Sequence, residues 1–447
     1  MGIFKANDIR GVYPQEINEK TAYFIGKASC VFFRKLYKKN PQIILGNDNR
    51  VSSPYLKRGF KKGFLEEGGN IIEIGLSTTP LMYFSTVVSR ADGGVEITAS
   101  HNPPKFNGFK LVKRNAEPIY EKTGLKEIQK IFQKKDFEKR KKGKIIKKSF
   151  LKEYIKFNLN FLREKTLPFR IVVDTANAAA SFLIKPILGK IKGLKVYHLF
   201  SELDGHFPNH EPDPLKKENL KALRREVKEK KADLGVAFDG DGDRIIFIDE
   251  KAKIIPGNLI TALVGLSFLE EKKGIKILYD IRSSRAVEEA IKKGGGKPVV
   301  WKVGHSFIKE KMRKENIVFG GELSGHYYLK ENQFCEAPFF VLFRILEEMK
   351  RKKKKLSQLV QPLEKFAFSG EINFRVKDSQ KILEKIEKIF AKKGKISKLD
   401  GVRVDFKDWW FLLRASKTEP LLRLIVEAKN KKILKEKVKF LKELIFS

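Results

Sequence analysis

Short apolar runs alternate with amphipathic segments along the first third of the chain, and each run ends in a polar turn. The runs at 42–45, 71–74 and 94–97 have the length and composition of buried strands. Between them, 21–37, 54–67 and 81–88 read as helices, the first through Ala22, Ile25, Ala28, Phe32, Phe33 and Leu36. Alternation of this kind predicts a largely parallel sheet covered by helices. Functional loops then lie beyond the carboxyl ends of the strands. The pattern restarts at 170–174 and again near Gly257, with strands expected at 195–199, 234–238, 245–248, 276–279, 298–301 and 316–319. From about Phe366 the texture becomes α+β, with strands near 371–376, 402–406, 409–413 and 421–427 and helices over 380–393 and 431–444. At 447 residues the chain exceeds what one core usually holds, roughly 250–300 residues. It divides into 1–149, 150–254, 255–365 and 366–447. Within the first unit, 8–11 reads as a polar turn and the basic run 134–148 as a helix end and linker.

Composition narrows the setting. Cys30 and Cys335 are too few for a disulfide framework and have no metal-binding spacing, which suits a reducing, cytoplasmic compartment. The start of the chain shows no signal peptide, and no apolar stretch approaches the twenty residues that a membrane span needs. The net charge of +39 raises the question of a nucleic-acid partner. The excess is lysine, spread over every segment and interleaved with glutamate, and its dense runs lack the aromatics of a single-strand groove. The expected partners are therefore small molecules, with no specific nucleic acid and no membrane, in a monomer or weak homo-oligomer. A positive field would draw in phosphate esters.

Four loops carry chemistry. The strand at 94–97 runs into Thr98-Ala99-Ser100-His101-Asn102-Pro103-Pro104, which presents a hydroxyl, Ser100, on a stiffened turn suited to a nucleophile or phosphate carrier. Gly108 is expected to turn the chain back so that Lys110 faces the same spot. At the end of the strand 234–238 stands Asp239-Gly240-Asp241-Gly242-Asp243-Arg244. Three carboxylates converge there only if a cation sits among them, and hard oxygen ligands suit Mg²⁺ or Ca²⁺. An EF-hand is excluded by the apolar strand that follows. Gly321-Glu322-Leu323-Ser324-Gly325-His326 offers a carboxylate and a hydroxyl that can pair with neighbouring sugar hydroxyls. Arg414-Ala415-Ser416-Lys417-Thr418-Glu419-Pro420 has the makings of a phosphate cradle. The long loop 204–214 and the loops 280–284 and 302–306 are further polar segments at strand ends. Together these features fit phosphoryl transfer on a sugar phosphate.

With these motifs in this order, the whole chain resembles the α-D-phosphohexomutase superfamily, most closely its bacterial phosphomannomutase/phosphoglucomutase type. The resemblance implies three similar mixed α/β domains followed by a smaller α+β, TATA-box-binding-protein-like domain around a central cleft, the last domain being mobile. It implies reversible conversion of hexose 1-phosphate and hexose 6-phosphate, of mannose and/or glucose, through a phosphoserine at Ser100. Mg²⁺ would be held by Asp239, Asp241, Asp243 and a phosphoserine oxygen. A 1,6-bisphosphate of glucose or mannose would be intermediate and activator. Arg10, Lys110 and His305 would assist proton transfer and charge stabilisation, Lys110 as a base only with a lowered pKa. Glu322 and Ser324 would read sugar hydroxyls. Arg414, Ser416, Lys417, Thr418 and Arg423 would hold the non-reacting phosphate, with Arg244, Arg282 and Lys302 as further substrate contacts. Asn7 stands where a tyrosine is usual, and Cys335-Glu336-Ala337-Pro338 where an Asp-Asp-Gly or Asp-Ser-Gly turn is usual. The alternative within the superfamily is a phosphoglucosamine mutase; Thr98, Phe109-Lys110 and Trp409-Trp410 favour the mannose/glucose type. An idle polyanion-binding protein would have lost a key group, and an alkaline-phosphatase-like hydrolase needs a second metal cluster that six unpaired histidines do not supply.

Overall fold

A computed structural model describes residues 2–415 and 421–446. Strands β1 (Ile9–Val12), β2 (Gln42–Asn47), β3 (Asn70–Leu76), β4 (Gly93–Ile97), β5 (Phe106–Lys113) and β6 (Ile145–Lys147) form the first sheet, in the order β1-β5-β4-β2-β3-β6. β2 runs parallel to β3 and β4, whereas β5 is antiparallel to β4 and β1. The segment expected as a turn at 8–11 is thus largely an edge strand. Gly108 does not turn the chain either. It lies inside β5 opposite Arg10, and a Cβ there would stand 2.0 Å from the Ile9 carbonyl oxygen. The glycine serves the close approach of β1, and strand alternation brings Lys110 to the same face as the site. Within the basic run, the helix Lys126–Lys134 ends and β6 adds to the sheet parallel to β3. The lysines hid a short strand.

The second sheet contains β7 (Arg170–Asp174), β8 (Lys195–Leu199), β9 (Leu234–Phe238), β10 (Ile245–Asp249) and β11 (Ile254–Ile255), ordered β11-β10-β9-β7-β8. The third contains β12 (Lys276–Asp280), β13 (Lys297–Trp301), β14 (Phe319–Gly321), β15 (Tyr327–Leu329) and β16 (Cys335–Glu336), ordered β13-β12-β14-β15-β16. In both, parallel pairs occupy one side and antiparallel pairs the other. Of the strand expected at 316–319, Asn316 instead ends the helix His305–Glu315 in the left-handed region (φ 53°), and the strand starts at Phe319. One apolar cluster runs through all three units, joining Tyr83 and Phe84 to Leu183, Phe238, Leu263 and Phe340. That continuity holds the three loop-bearing edges in fixed relation.

The last unit is antiparallel throughout: β17 (Ala367–Arg375), β18 (Lys395–Ser397), β19 (Val402–Asp405), β20 (Trp409–Ala415) and β21 (Leu421–Ala428), ordered β17-β21-β20-β19-β18. Alternation along β20 decides what each face meets. Phe411 and Leu413 join Leu383, Ile386 and Leu441 of the two helices, while Trp410 and Leu412 turn the other way onto Ile281 and Val303 of the third unit. Arg403 Nη1 adds a hydrogen bond to the Ile281 carbonyl (2.8 Å). Three α/β domains and a smaller C-terminal α+β domain are therefore the architecture. No described helix is long and apolar enough to cross a membrane.

Candidate active site

Ser100 sits just beyond β4 with φ +52°, a conformation uncommon outside glycine and held only where surroundings enforce it. Arg50 supplies that enforcement. Its buried guanidinium donates to the carbonyls of Ser100 and Asn102 (both 2.7 Å), Pro103 (2.8 Å) and Phe106 (3.0 Å). Asp48 holds it from behind through Nε (3.0 Å). Thr98 Oγ1 accepts the Ser100 N–H at 2.8 Å. The Ser100 hydroxyl, which is the candidate phosphate carrier, donates to Asp239 Oδ2 at 3.0 Å.

That contact joins two domains. The Asp239–Asp243 loop follows β9, and its two glycines answer different needs. Gly242 takes φ +68°, while a Cβ on Gly240 would stand 2.3 Å from the Ser100 carbonyl oxygen. One carboxylate oxygen from each of Asp239, Asp241 and Asp243 lies within 4.8 Å of the others, and all three residues are buried. Lys110 Nζ donates to Asp241 Oδ2 and Asp243 Oδ2, both at 2.6 Å. Thr79, opening the helix Thr79–Val88, donates its hydroxyl to Asp241. Asp241 Oδ1 is buried and accepts no hydrogen bond, and Asp243 Oδ1 has only the His326 ring beside it, at 3.2 Å. Hard oxygens, one of them orphaned, around a point already visited by a cation fit a divalent ion such as Mg²⁺.

The electrostatics bear on the condition set for Lys110 as a base. Burial alone would lower the Lys110 pKa, but Asp241 and Asp243 overcome it and hold the ammonium charged. The carboxylates share the strain unequally. Burial and its two neighbours raise Asp239, whereas Asp243 is lowered against its burial by Lys110 and His326.

Arg10, opposite Gly108 on β1, pairs with Asp8 and donates to Asn102 Oδ1, which places its guanidinium at the Ser100 loop. Arg244 follows the aspartates, with Nε 3.6 Å from Asp239 Oδ2 and 3.3 Å from His326 Nε2. The Ile245 N–H donates to the Gly325 carbonyl (3.0 Å), so the segments that follow Asp243 and Ser324 are joined through backbone.

In the third domain Glu322 is fixed from two sides. Oε1 accepts the Gly304 N–H (2.9 Å) and Oε2 the Tyr328 hydroxyl (2.5 Å). Arg282 lies 3.5 Å from Glu322 Oε1 and 3.4 Å from Ser324 Oγ, oriented by two contacts to Asp280, whose carboxylate also takes the Leu323 N–H (2.8 Å). His326 bridges Asp243 (3.2 Å) and Glu322 (3.4 Å). Burial disfavours its charge, yet Asp243 wins and its pKa rises to about 9. His305 differs: burial, then Lys309 and Lys110, keep its imidazole neutral. Lys302 is half-buried at the end of β13, without a hydrogen bond or ion pair among the described residues.

On the fourth domain Arg414 and Arg423 stand directly opposite each other on β20 and β21. Each has a carboxylate, Asp400 for Arg414 (2.8 Å) and Glu371 for Arg423 (2.9 Å). Asp400 also accepts the Val303 N–H at 3.0 Å, tying Arg414 to the loop of Lys302 and His305. Ser416, Lys417 and Thr418 lie outside the described residues. The structure thus gathers Ser100, the three aspartates, Arg244, Glu322, Ser324 and Arg282 on neighbouring loops, with Arg10 on β1, Lys110 on β5 and His305 at the start of the helix His305–Glu315 beside them. Sequence reasoning missed Arg50, Thr79, Asp280 and His326 as site residues. Asp48-Asn49-Arg50 does follow a parallel strand, the position where functional groups gather.

Comparison with known proteins agrees with this constellation. Family models described as phosphoglucomutase/phosphomannomutase alpha/beta/alpha domains I, II and III match residues 1–139, 148–253 and 256–366, and the C-terminal domain of that family matches 371–444. A phosphomannomutase of Methanocaldococcus jannaschii is 42% identical over 99% of this chain and 97% of its own. One of Vibrio cholerae is 38% identical over 99% and 98%. The crystal structure of a phosphoglucomutase/phosphomannomutase family protein from Burkholderia thailandensis superposes with a TM-score of 0.91 at 29% identity, over 99% of this chain and 96% of that one. The chain belongs to the phosphoglucomutase/phosphomannomutase family and is a phosphomutase, an isomerase.

Proposed function

We propose that the protein interconverts the 1- and 6-phosphates of mannose and/or glucose through a phosphoserine at Ser100. The observation that carries this reading is the Ser100 hydroxyl 3.0 Å from Asp239, beside a carboxylate triad in which Lys110 pairs with Asp241 and Asp243. The relatives named phosphomannomutase support the hexose class.

In the forward half-reaction the free hydroxyl oxygen of the bound hexose phosphate attacks phosphorus on phospho-Ser100. The new P–O bond forms as the bond to Ser100 Oγ breaks, giving a hexose 1,6-bisphosphate, and the leaving Ser100 oxygen takes a proton from the charged Lys110 ammonium to become the free hydroxyl. Mg²⁺ held by Asp239, Asp241 and Asp243 supplies charge neutralisation for the transferring phosphoryl group. Arg10 and Lys110 are the cations on the chain's side of that group. Lys110 is charged in the ligand-free chain, so the neutral imidazole of His305 is the better acceptor for the hydroxyl proton. Glu322 and Ser324 accept and donate to sugar hydroxyls, oriented by Arg282. Arg414 and Arg423, with the 416–418 loop, hold the phosphate that does not react, which fixes the reacting oxygen by binding energy gained elsewhere. The bisphosphate turns over and returns its other phosphate to Ser100.

Turnover of mannose, glucose and glucosamine 1-phosphates, each with Mg²⁺ and a trace of glucose 1,6-bisphosphate, tests the reading beside Ser100→Ala. Conversion of mannose or glucose phosphate that is lost in the variant supports it. Conversion of the amino sugar alone moves the assignment to a phosphoglucosamine mutase. Folded protein that turns over none of them refutes it.

A further inference from the structure

Glu336 has no part in the scheme above, yet it lies at the floor of the site. It pairs with Tyr328 across β15 and β16 and has no exposed side-chain surface. Both of its oxygens accept from Lys309 Nζ, at 3.1 and 2.9 Å, and Lys309 is equally buried. Lys309 also donates to the Tyr83 hydroxyl (3.2 Å), so the ion pair closes the seam between the first and third domains. Each of these two buried groups thus has the other as its partner.

His305 stands one helical turn before Lys309, on the same face of the helix His305–Glu315. Its Nδ1 is buried without a hydrogen-bond partner and lies 3.7 Å from Glu336 Oε1. The side chain as a whole keeps 15% exposure, none of it at Nδ1. A buried ring nitrogen without a partner is expensive, and a carboxylate is the group facing it. The gap closes with a small ring rotation. A carboxylate beside Nδ1 selects the tautomer that carries the proton there, which leaves the lone pair on Nε2.

We propose that Glu336, held in place by Lys309, is the positioning residue for His305: it accepts the Nδ1–H and so presents the Nε2 lone pair to the sugar hydroxyl. Nε2 then receives the hydroxyl proton as that oxygen attacks phosphorus. The inference rests on the functional reading above. The other charged or titratable groups around the ring are Lys309, Lys110, His326 and Asp243, and none of them offers Nδ1 a hydrogen bond.

With six histidines in the chain, selective ¹⁵N-histidine labelling resolves the ring tautomers, and His305→Gln assigns the signal. The variants are Glu336→Asp, Glu336→Gln and the double variant Lys309→Met/Glu336→Gln. The double variant removes both charges together, so no ion is left buried alone and folding is preserved. The expected result is a neutral His305 protonated at Nδ1 in the wild type, and loss of that preference in the double variant. There kcat falls about 10- to 100-fold with KM changed by about twofold or less, and Glu336→Asp restores most of the rate. A folded double variant with wild-type kcat, or a wild-type His305 protonated at Nε2, overturns the proposal. The tautomer is read without substrate. A wild-type chain with the Nδ1 tautomer but no mutase turnover keeps the pairing and refutes the functional reading instead.

Discussion

Replacing Arg50 with lysine should loosen the Ser100 loop while leaving the sheet beneath it intact. The Arg50 side chain makes five hydrogen bonds, one to Asp48 and four to carbonyls of Ser100, Asn102, Pro103 and Phe106. A lysine ammonium has three protons, so at least two acceptors lose their partner. Hydrogen bonds from a charged donor are worth about 1.5–3 kcal/mol each, and water can enter to relieve part of the loss. A local destabilisation of about 2–3 kcal/mol follows, or roughly 30- to 160-fold faster opening of the loop. Lysine keeps a positive charge beside Asp48, so the buried carboxylate is not stranded. Native-state hydrogen exchange reads this directly, because the Ser100 and Asn102 amides are bonded within the loop, to Thr98 Oγ1 and the Ala99 carbonyl. Exchange in peptides covering 98–106 should accelerate by that factor, while peptides from β2 and β4 stay as in the wild type. Turnover should fall at least tenfold. Unchanged exchange in the loop would refute the claim that Arg50 enforces the φ +52° conformation of Ser100.

Lys110→Met leaves the buried Asp241 without its cation and Asp243 with His326 alone, so the metal-free variant should be destabilised by about 3–5 kcal/mol. Added Mg²⁺ should raise its melting temperature more than that of the wild type, which scanning fluorimetry with and without EDTA will measure. His326 has a folded pKa of about 9 against an ordinary 6.5. Its contribution is therefore full below about pH 6.5 and is lost as pH rises through about 9. Metal-free wild type should lose stability over that window, and His326→Asn should flatten the dependence in urea titrations at stepped pH. Asp400→Asn weakens the link from Arg414 to the Val303 amide and leaves the arginine charge. Its KM for hexose phosphate should shift several-fold more than its kcat, and equal loss in both would contradict a role confined to seating the phosphate.

Much of this site was legible because its chemistry is local in sequence. Asp239, Asp241 and Asp243 announce themselves through glycine spacing, Ser100 and Glu322 each sit in a polar loop at a strand end, and Arg414 stands near the end of β20. What stayed hidden depends on partners far along the chain. Arg50 acts on carbonyls about fifty residues away, and Thr79 reaches Asp241 across a domain boundary. Glu336 looked like a departure from a family turn, and its partner Lys309 is visible only once β16 meets the helix His305–Glu315. Gly108 and 8–11 were read as turns because glycine and charge suggest turns. The pairing of β1 with β5 needs glycine for contact, not for bending. A base role for Lys110 needs a lowered pKa, and that condition depends on partners far along the chain: the fold gives it two carboxylates at 2.6 Å.

The central claim is that Ser100 carries the phosphoryl group. Its most direct test is incubation of the protein with hexose 1,6-bisphosphate labelled with ³²P, followed by peptide mapping and a chase with unlabelled mannose 1-phosphate. The account predicts label on one peptide, the one containing Ser100, discharged into sugar bisphosphate and mannose 6-phosphate during the chase. Folded, Mg²⁺-supplied protein that takes up no label, or holds it on a residue other than Ser100, would contradict it.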